Sequence, residues 1–437
     1  MSVIHERAFI LSTGDEIVTG QLQDTNARFL SSRLVDLGIM PVGHAAVADS
    51  LGDLVEAIRT AARRAPLVIM SGGLGPTDGD LTRAAMCEVL GEPLVLDETV
   101  KAELIARLIS RGREVTDRQL RQAYRPRSAA CLPNRFGTAP GLHAVISSDG
   151  PHGVSDLFAL PGPPGELVPM LDGSVVPRLR PSPARTVRTR LAHVVGIAEA
   201  DCVVRLGDLT RRDRVPLVGI TASGGILTLR LRYEGGGDPS EAERLLDEAE
   251  LLARAALGDH IFAVGSSAGW YHLVEVVLHA LTARGRTLST VESCTGGMLG
   301  ETITSVPGSS AAYVGGFVTY ANELKVSLGV DSGALAKHGA VSAIVAEQMA
   351  ARGVERTTSD FALSLTGIAG PNGGTQAKPV GTVHIGMAVR EDAGDSHRVS
   401  SRRFVFAGDR HDIRSRAAVS ALAMLYFQLL GHPEGTP

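Results

Sequence analysis

The sequence has few cysteines, no long apolar run and no strong excess of charge of either sign. Its four cysteines are widely scattered without CxxC spacing, so the sequence indicates neither a zinc site nor a disulfide scaffold. A reducing, cytoplasmic location is therefore expected. No apolar stretch reaches the roughly 20 residues that span a bilayer, and the first residues lack a long apolar signal core, so we expect no membrane insertion.

The charge balance also bears on the class of partner. A formal net charge of −4 gives no overall electrostatic reason to expect nucleic-acid binding, because polyanion binding usually needs clustered positive charge. The local basic run 178–190 is interpreted as a solvated linker or strand face. The expected partner is instead a small anion.

The length and the hydrophobic pattern predict several domains. The 437 residues exceed one typical domain, which contains roughly 100 to 200 residues. Strands alternate with helices near both ends of the chain, which predicts parallel sheets covered by helices. Composition changes after LPGPPGELVPML and around EGGGDPS separate a smaller module. We predict an α/β protein: two three-layer end domains with mainly parallel sheets, 1–172 and 263–437, joined by an α+β module, 173–262.

A candidate nucleophile stands in the segment TLSTVESCTGGMLGETI. Ser293 follows a predicted strand and precedes a helix expected to begin near Thr295. Its hydroxyl would face the carboxyl edge of the sheet, where free N–H groups of the following helix can stabilise an oxyanion. The alternative is a helix N-cap serine.

A candidate base stands in the segment GGFVTYANELKVSLGV. The predicted strand ends near Tyr320 and a helix begins near Asn322, which places Lys325 in its first turn. A lysine activates a serine only when it is partly neutral, and this requires a pKa below the usual value of about 10.4. The alternative is an ordinary surface lysine.

The segment LSLTGIAGPNGGTQAKPVGTVHIG joins two apolar stretches through a glycine-rich loop. Glycines let backbone N–H groups approach an anion, so Thr366, Gly367 and Gly370 are candidate phosphate-binding residues, alongside donors from Thr375 and Lys378. A glycine-rich turn without a ligand is the alternative. Farther along, Arg410 and Arg414 are further phosphate candidates, or solvent-facing helix residues.

Together, the motifs ESCTGG, GGFVTYANELK, TGIAGPNGGT and KPVGTVHIG closely resemble the nicotinamide-nucleotide amidase domain of the CinA family. The resemblance implies deamidation of nicotinamide mononucleotide (NMN) to nicotinate mononucleotide and ammonia, without a cofactor. It also implies an active centre of Ser293, Tyr320 and Lys325. In this interpretation Ser293 attacks the carboxamide carbon, Lys325 accepts its proton, and Tyr320 positions or relays the proton.

The residues after Ser293 are expected to contact the substrate. Backbone N–H groups of Cys294, Thr295, Gly296 and Gly297 are candidates for holding the oxyanion. Cys294 is a rival nucleophile, but a packed thiol is the favoured interpretation.

Near the start of the chain, STGDEIVTGQLQDTNARFL, VADS, SGGLGPTDGDLT and LPGPPGEL resemble the molybdopterin-binding-like domain of CinA proteins. GGLGPTDGD follows a predicted strand and precedes a helix, so its backbone can meet phosphate. The predicted contacts in this loop are Gly72, Gly73, Gly75, Thr77 and Asp78.

The same resemblance implies an ADP-ribose pyrophosphatase that forms AMP and ribose 5-phosphate and needs a divalent cation, Mg²⁺ or Co²⁺, with K⁺ as a possible addition. Asp80 and Asp49 are the favoured metal ligands, and Asp15, Glu16 and Glu166 are further candidates. Capping or solvation is the alternative for each acid. The loop sequence TDGD also departs from the more acidic TxDD pattern associated with the family.

Several expectations concern the whole chain. NAD shares the adenosine pyrophosphate group of ADP-ribose, so the two end domains could act in sequence on NAD and NMN. The middle module resembles the KH-type insert of CinA proteins but has no GxxG clamp for RNA. The resemblance implies a homodimer. The competing hypotheses are a non-catalytic, nucleotide-binding competence-associated protein and a molybdopterin-binding enzyme.

Overall fold

The computed structural model describes residues 3–236, 238–265, 271–391 and 396–432. They form two compact units, one of Met1–Arg188 with Tyr233–Glu243 and one of Thr189–Arg232 with Arg244–Pro437. The predicted domain boundaries at residues 172 and 262 stay predictions. Within the described residues no helix has both the length and the apolar character of a membrane span.

The first unit is built on a six-stranded sheet in the order β2-β1-β3-β8-β7-β6, and β4 pairs separately with β5. The first four strands of this order run parallel; β7 pairs antiparallel with β8, and β6 pairs antiparallel with β7. The strands are β1 (Arg7–Thr13), β2 (Met40–Val47), β3 (Leu67–Ser71), β4 (Leu94–Leu96), β5 (Tyr124–Pro126), β6 (Ala130–Leu132), β7 (Gly141–Ser147) and β8 (Val154–Leu160). The helices are α1 (Asp15–Val18), α2 (Thr25–Asp36), α3 (Leu51–Arg64), α4 (Thr82–Leu90), α5 (Glu98–Ser110), α6 (Asp117–Leu120) and α7 (Pro164–Met170).

Burial explains why β1 and β3 lie in the middle of this sheet. The strand LVIMS is buried at every position, and RAFILST is buried after its first residue. A parallel strand covered on both faces needs such a continuous apolar run. Ile10 and Ile69 pack with Leu30 of α2 on one face, whereas Leu11 and Met70 pack on the opposite face with α3.

The predicted α+β module consists of a sheet in the order β10-β11-β9-β12 and two helices. The expected hairpin is confirmed, because β10 and β11 pair antiparallel around Gly224 and Gly225, both at positive φ. The elements are β9 (Thr186–Val194), α8 (Glu199–Leu206), β10 (Leu217–Ser223), β11 (Ile226–Gly235), α9 (Pro239–Leu257) and β12 (Ile261–Gly265).

The remaining sheet has the order β14-β13-β15-β16-β17. The first three strands are parallel, and the last two add an antiparallel edge. The strands are β13 (Leu288–Glu292), β14 (Tyr313–Val318), β15 (Phe361–Gly367), β16 (Thr382–Arg390) and β17 (His397–Val405). The helices are α10 (Tyr271–Ala283), α11 (Met298–Thr304), α12 (Asn322–Leu328), α13 (Ser332–His338), α14 (Ala343–Thr357) and α15 (Arg410–Leu429).

Two apolar layers cover this sheet and give the predicted three-layer α/β architecture. On one face Leu363 and Ile385 pack with α10 and α15. On the other face Val291 packs with Leu328 of α12 and Met349 of α14. The α/β prediction is therefore confirmed, and the chain segments that follow β13 and β15 meet at one edge of the sheet.

Candidate active site and phosphate loop

Ser293 and Lys325 are brought together at the carboxyl edge of the last sheet. Ser293 directly follows β13, the strand between β14 and β15, and its N–H donates to the Leu365 carbonyl of β15. Lys325 lies on α12, and its Nζ is 3.0 Å from Ser293 Oγ. The two side chains that the sequence singled out as nucleophile and base are thus in direct contact.

Burial shifts the protonation equilibrium of Lys325 toward the neutral amine. The side chain is only 1% exposed, and burial lowers the pKa of its ammonium against smaller opposite effects of Cys294 and Glu323. Besides Ser293 Oγ, its Nζ contacts the carbonyl oxygens of Thr319 at 2.8 Å and Tyr320 at 3.1 Å. In the ammonium form Nζ donates to all three oxygens; in the neutral form the two carbonyls can accept its two hydrogens, which leaves the lone pair for the Ser293 hydroxyl.

The helix after Ser293 begins at Met298, and the expectation of a start near Thr295 is wrong. Gly296 and Gly297 adopt positive φ and form a tight loop before the helix. The buried carboxylate of Glu292 fixes this loop by accepting N–H donors from Gly297, Leu299 and Gly300 at 2.8–3.1 Å. Ser293 is therefore not the cap of this helix, since Glu292 accepts the N–H groups at its start.

This arrangement narrows the set of oxyanion donors. The N–H of Gly296 donates to the Ser293 carbonyl, and that of Gly297 donates to Glu292. Among the described residues, the N–H groups of Cys294 and Thr295 have no such partner. The Thr295 hydroxyl is also buried without a hydrogen-bond partner in the part of the chain that the structure describes. Cys294 and Thr295 are thus the available donors beside Ser293.

Cys294 has the properties of a packed thiol. Its side chain belongs to the apolar core under α15, and burial raises its pKa to about 12. A thiol with so high a pKa is protonated at neutral pH, and the thiolate is the nucleophilic form. The geometry therefore favours Ser293 over Cys294 as the nucleophile.

Tyr320 and Arg410 form a second cluster beside this dyad. The Tyr320 side chain is 57% exposed, and its hydroxyl accepts a hydrogen bond from Arg410 at 2.8 Å, while its backbone carbonyl contacts Lys325. Arg410 also donates to the Gly370 carbonyl at 2.7 Å. Arg410 thereby ties the loop after β14 to the glycine-rich loop, and the predicted proton-relay role of Tyr320 stays a prediction.

The glycine-rich loop is partly held by its own polar groups. The buried Thr366 hydroxyl, a predicted phosphate donor, donates its hydrogen to the Ala340 carbonyl at 2.8 Å. A Cβ on Gly367 would lie 2.7 Å from the Val383 side chain, which explains the need for glycine by close packing. Gly370, at positive φ, presents its carbonyl to Arg410.

The loop GGLGPTDGD of the first unit follows β3 and is organised by Asp80. One carboxylate oxygen accepts the Gly75 N–H at 2.8 Å, and the other accepts the Thr77 N–H and hydroxyl at 2.7 and 2.5 Å. The buried guanidinium of Arg83 binds the Leu74 carbonyl at 2.7 Å and the Gly75 carbonyl at 2.5 Å. Asp80 therefore shapes the loop, and its predicted role as a metal ligand stays a prediction.

Glycine is required at the start of this loop. Gly72 and Gly73 have φ values of 106° and 68°, and a Cβ on Gly73 would lie 2.2 Å from the Thr82 hydroxyl. Farther along, Asp78 is exposed and pairs with Arg121 at 2.6 Å and Arg118 at 3.5 Å. The hydrogen bond from Arg121 is the largest of the effects that lower the pKa of Asp78.

Asp49 and Asp15 adjoin this loop, and each accepts a hydrogen bond through Oδ1, whereas both carboxylate oxygens of Asp80 accept bonds from the loop itself. The Asp49 N–H donates to Asp15 Oδ1 at 3.1 Å, and Asp49 Oδ1 accepts from Thr13 at 3.0 Å. Asp49 Oδ2 faces Gly79. The described residues contain no group of three or more His, Cys, Asp or Glu placed to hold a metal. A Mg²⁺ ion here would complete its coordination with water and phosphate oxygens, as this ion commonly does.

A cavity of about 630 Å³ opens beside the same loop. Its lining combines Thr77, Asp78 and Asp80 with the apolar side chains of Leu94 and Leu96. The remaining lining includes an aromatic ring and three cationic side chains: Tyr124, Arg83, Lys101 and Arg121. Small-molecule sites usually occupy roughly 300–1,000 Å³ and combine apolar walls with a few polar groups.

Sequence reasoning missed several residues of these sites. The motif ESCTGG begins with Glu292, whose role was not predicted, although an acid directly before a glycine-rich helix start is a recognisable capping signal. Arg83 and Arg121, which contact the GGLGPTDGD loop, were also missed. No sequence pattern reveals the Thr319 carbonyl as a partner of Lys325, because a backbone contact of this kind depends on the path of the chain.

Three domain families match successive parts of the chain. Residues 9–181 match the "Probable molybdopterin binding domain", residues 189–263 the "Damage-inducible protein CinA KH domain", and residues 271–429 the "CinA C-terminal domain". The fold and these matches define a multidomain α/β protein with a molybdopterin-binding-like first part and a CinA-type last part.

Relatives of full length identify the family. The "Putative competence-damage inducible protein" of Symbiobacterium thermophilum is 41% identical over 432 residues, covering 97% of this chain and 99% of the relative. The "CinA-like protein" of Geobacter metallireducens is 38% identical over 426 residues, covering 97% and 99%. The chain belongs to the CinA family. A solved structure, competence/damage inducible protein CihA from Agrobacterium tumefaciens, shares 37% identity with a TM-score of 0.35 and covers 38% of this chain and 97% of its own.

Proposed function

We propose that the last domain deamidates NMN to nicotinate mononucleotide and ammonia by serine nucleophilic catalysis. The observation that carries this proposal is the 3.0 Å contact between Ser293 Oγ and a buried Lys325 Nζ that two backbone carbonyls also engage. A buried amine of lowered pKa beside a serine hydroxyl is an established arrangement for activating the serine as a nucleophile.

In the proposed reaction the chain supplies the nucleophile, the base and the oxyanion donors, and water is the second substrate. Lys325 takes the proton of Ser293 as Oγ attacks the carboxamide carbon, and the N–H groups of Cys294 and Thr295 hold the oxyanion. Lys325 then protonates the departing nitrogen, which leaves as ammonia and gives an acyl-serine. Water attacks the acyl group with Lys325 as base, which releases nicotinate mononucleotide and restores Ser293.

The cluster beside the dyad is proposed to shape the substrate pocket. Arg410 fixes the exposed Tyr320 ring at the rim, where the ring can lie against the pyridine and its hydroxyl can assist proton transfer. Gly296, Gly297, Thr366, Gly367 and Gly370 are proposed to contact the substrate from the two loops described above.

Ser293→Ala in the full-length protein tests the assignment. Ammonia release from NMN should be lost. The thermal unfolding midpoint should stay close to the wild-type value, because the substitution removes a single side-chain oxygen. Cys294→Ala is the matched control, and it should retain turnover. Normal ammonia release by Ser293→Ala, or loss only in the Cys294 variant, would overturn the proposal.

For the first domain we propose hydrolysis of the pyrophosphate bond of ADP-ribose to AMP and ribose 5-phosphate. The cavity beside the GGLGPTDGD loop favours this second function, because an apolar and aromatic wall adjoins polar loop groups and cations. Asp49 and Asp15 would hold the divalent cation, Mg²⁺ or Co²⁺, which would neutralise the pyrophosphate charge. NAD is a further proposed substrate, and its cleavage would supply NMN to the amidase.

Product analysis separates this function from the competing hypotheses. The full-length protein is incubated with ADP-ribose or NAD, with Mg²⁺, Co²⁺, K⁺ or a chelator, and AMP is quantified by chromatography. AMP formation that depends on the cation and falls in Asp49→Asn supports the proposal. Binding of nucleotide without any product would favour a non-catalytic protein, and binding of molybdopterin would favour the third hypothesis.

We propose a cytoplasmic homodimer whose partners are NMN, ADP-ribose and possible NAD-like nucleotides rather than nucleic acid or a membrane. Sedimentation of the full-length protein with and without NMN measures the oligomeric state, and a monomer at all concentrations would contradict the dimer.

A further inference from the structure

A row of polar side chains extends sideways from Ser293 across the sheet. Ser293 aligns with Thr366 of β15, because its N–H donates to the Leu365 carbonyl in the parallel ladder. Thr366 lies directly opposite His384 of β16, and His384 lies directly opposite Arg403 of β17. Side chains directly opposite each other project from the same face, about 5 Å apart.

This row faces α14 and the turn before it. The Thr366 hydroxyl binds the Ala340 carbonyl in that turn, and a Cβ on Gly386, two residues after His384, would lie 2.4 Å from the Ala346 carbonyl of α14. His384 therefore lies on the face of the sheet that carries Ser293 and Lys325, about two strand spacings, or roughly 10 Å, from the nucleophile.

The glycine-rich loop folds down beside His384 and brings a second cation. Arg403 donates to the Ala377 carbonyl at 3.0 Å, and Lys378 Nζ donates to the His338 carbonyl at 2.8 Å. Burial, then the charges of Arg403 and Lys378, lower the pKa of His384, whereas Glu347 acts in the opposite direction. The charged groups near the His384 imidazole are therefore the cations Arg403 and Lys378 and the carboxylate of Glu347. Glu347 also accepts a hydrogen bond from Ser401.

Unused donors and an unpartnered nitrogen mark this patch. His384 Nδ1 is buried and has no hydrogen-bond partner among the residues that the structure describes. Among the described residues, the Arg403 guanidinium donates a hydrogen bond through Nη2, so its other N–H groups are available to bind a ligand. Arg410, by contrast, spends both terminal nitrogens on Gly370 and Tyr320. A buried polar atom without a protein partner is unusual and calls for a water or ligand.

We propose that His384, Lys378 and Arg403 form an anion subsite that binds the phosphate of the mononucleotide whose carboxamide lies at Ser293. The subsite rests on the proposed amidase function and adds specificity to it. Arg presents a planar array of donors suited to phosphate oxygens, and Lys adds a point charge. The distance of two strand spacings separates the reacting amide from the charged end of the substrate.

The test compares NMN with nicotinamide riboside, which carries the same carboxamide but no phosphate. In the full-length protein, Arg403→Gln and His384→Ala should raise the KM for NMN by about 10- to 100-fold, the equivalent of a lost charge-assisted bond, with little change in kcat. Riboside turnover should change by less than about threefold. The matched control is Arg402→Gln, which removes the same charge one position along β17 on the opposite face.

Each result decides the matter. Equal losses with NMN and riboside, no loss in Arg403→Gln, or the phosphate-dependent loss appearing only in Arg410→Gln would overturn the subsite. If the wild-type protein releases no ammonia from NMN, the amidase proposal fails separately. Calorimetry with ribose 5-phosphate then still tests the subsite, since binding should weaken in Arg403→Gln but not in Arg402→Gln, and unchanged binding would refute it.

Discussion

Replacing Lys325 by methionine tests the proposed chemistry most directly. Methionine fills a similar buried volume but has no basic nitrogen. General-base catalysis is worth about 10²- to 10⁴-fold, so kcat for NMN deamidation should fall by about 10³-fold, or about 4 kcal/mol of activation free energy. The cost in folding stability is of similar size, about 2–6 kcal/mol, because the Thr319 and Tyr320 carbonyls each lose one donor at about 1–3 kcal/mol for each carbonyl left unsatisfied.

The pH profile distinguishes a base from a purely structural lysine. Burial lowers the pKa of Lys325, so its neutral fraction, and with it wild-type kcat/KM, should rise with pH through that pKa and then reach a plateau. The rising limb should disappear in Lys325→Met. Lys325→Arg should be inactive at every pH tested, because the guanidinium keeps its proton.

Ammonia release is measured in a coupled assay between about pH 6 and 11, a range that spans ordinary and lowered lysine pKa values. Circular dichroism melts of each variant monitor folding at the same pH values. If Lys325→Met retains activity within threefold of the wild type, or keeps its rising pH limb, Lys325 is not the base.

Three further predictions concern carboxylates that accept hydrogen bonds within the fold. Glu292→Gln should lower the free energy of unfolding by about 1–3 kcal/mol and reduce kcat, because the amide cannot accept hydrogen bonds from all three loop N–H groups. Urea unfolding and ammonia release measure the two effects. An equal effect of Glu301→Gln, a change at an exposed residue, would contradict this prediction. Asp80→Asn should speed hydrogen exchange of the Thr77 amide, and unchanged exchange would show that the loop does not depend on this carboxylate. Burial alone would raise the pKa of Asp156, but bonds from two histidines hold it below its usual value. The stabilisation from Asp156 is therefore present above about pH 4 and is lost as pH falls through the lowered pKa. In urea unfolding, Asp156→Asn should lower the free energy of unfolding at neutral pH, and the difference from the wild type should become smaller in acid. A difference that does not change with pH would refute this.

The sequence predicted the parts of the fold that depend on local patterns. Buried runs such as LVIMS indicated central strands, and the glycine-rich segments after strands indicated the edges where sites lie. Motif resemblance also brought Ser293 and Lys325 into one hypothesis. Whether the two side chains touch depends on the path of two loops in space, and the periodicity of the sequence does not reveal that path.

Other features depended on competition between neighbouring groups. Ser293 and Asp80 both stand before helices, and either could serve as a cap. The helix after Ser293 is instead capped by Glu292, while Asp80 binds backward to Gly75 and Thr77. Which carboxylate satisfies which N–H follows from chain geometry, so the sequence could identify the loops but not the tasks of their acids.

The internal bonding of the GGLGPTDGD loop has a consequence for the thermodynamics of ligand binding. Fixing one backbone residue costs about 1–2 kcal/mol of conformational entropy. Because Asp80 and Arg83 already hold the loop within the folded chain, that entropy is lost during folding rather than at each encounter with a ligand. Binding should therefore show a small ordering penalty, and the loop should act as a rigid template whose affinity depends on the fit of the ligand.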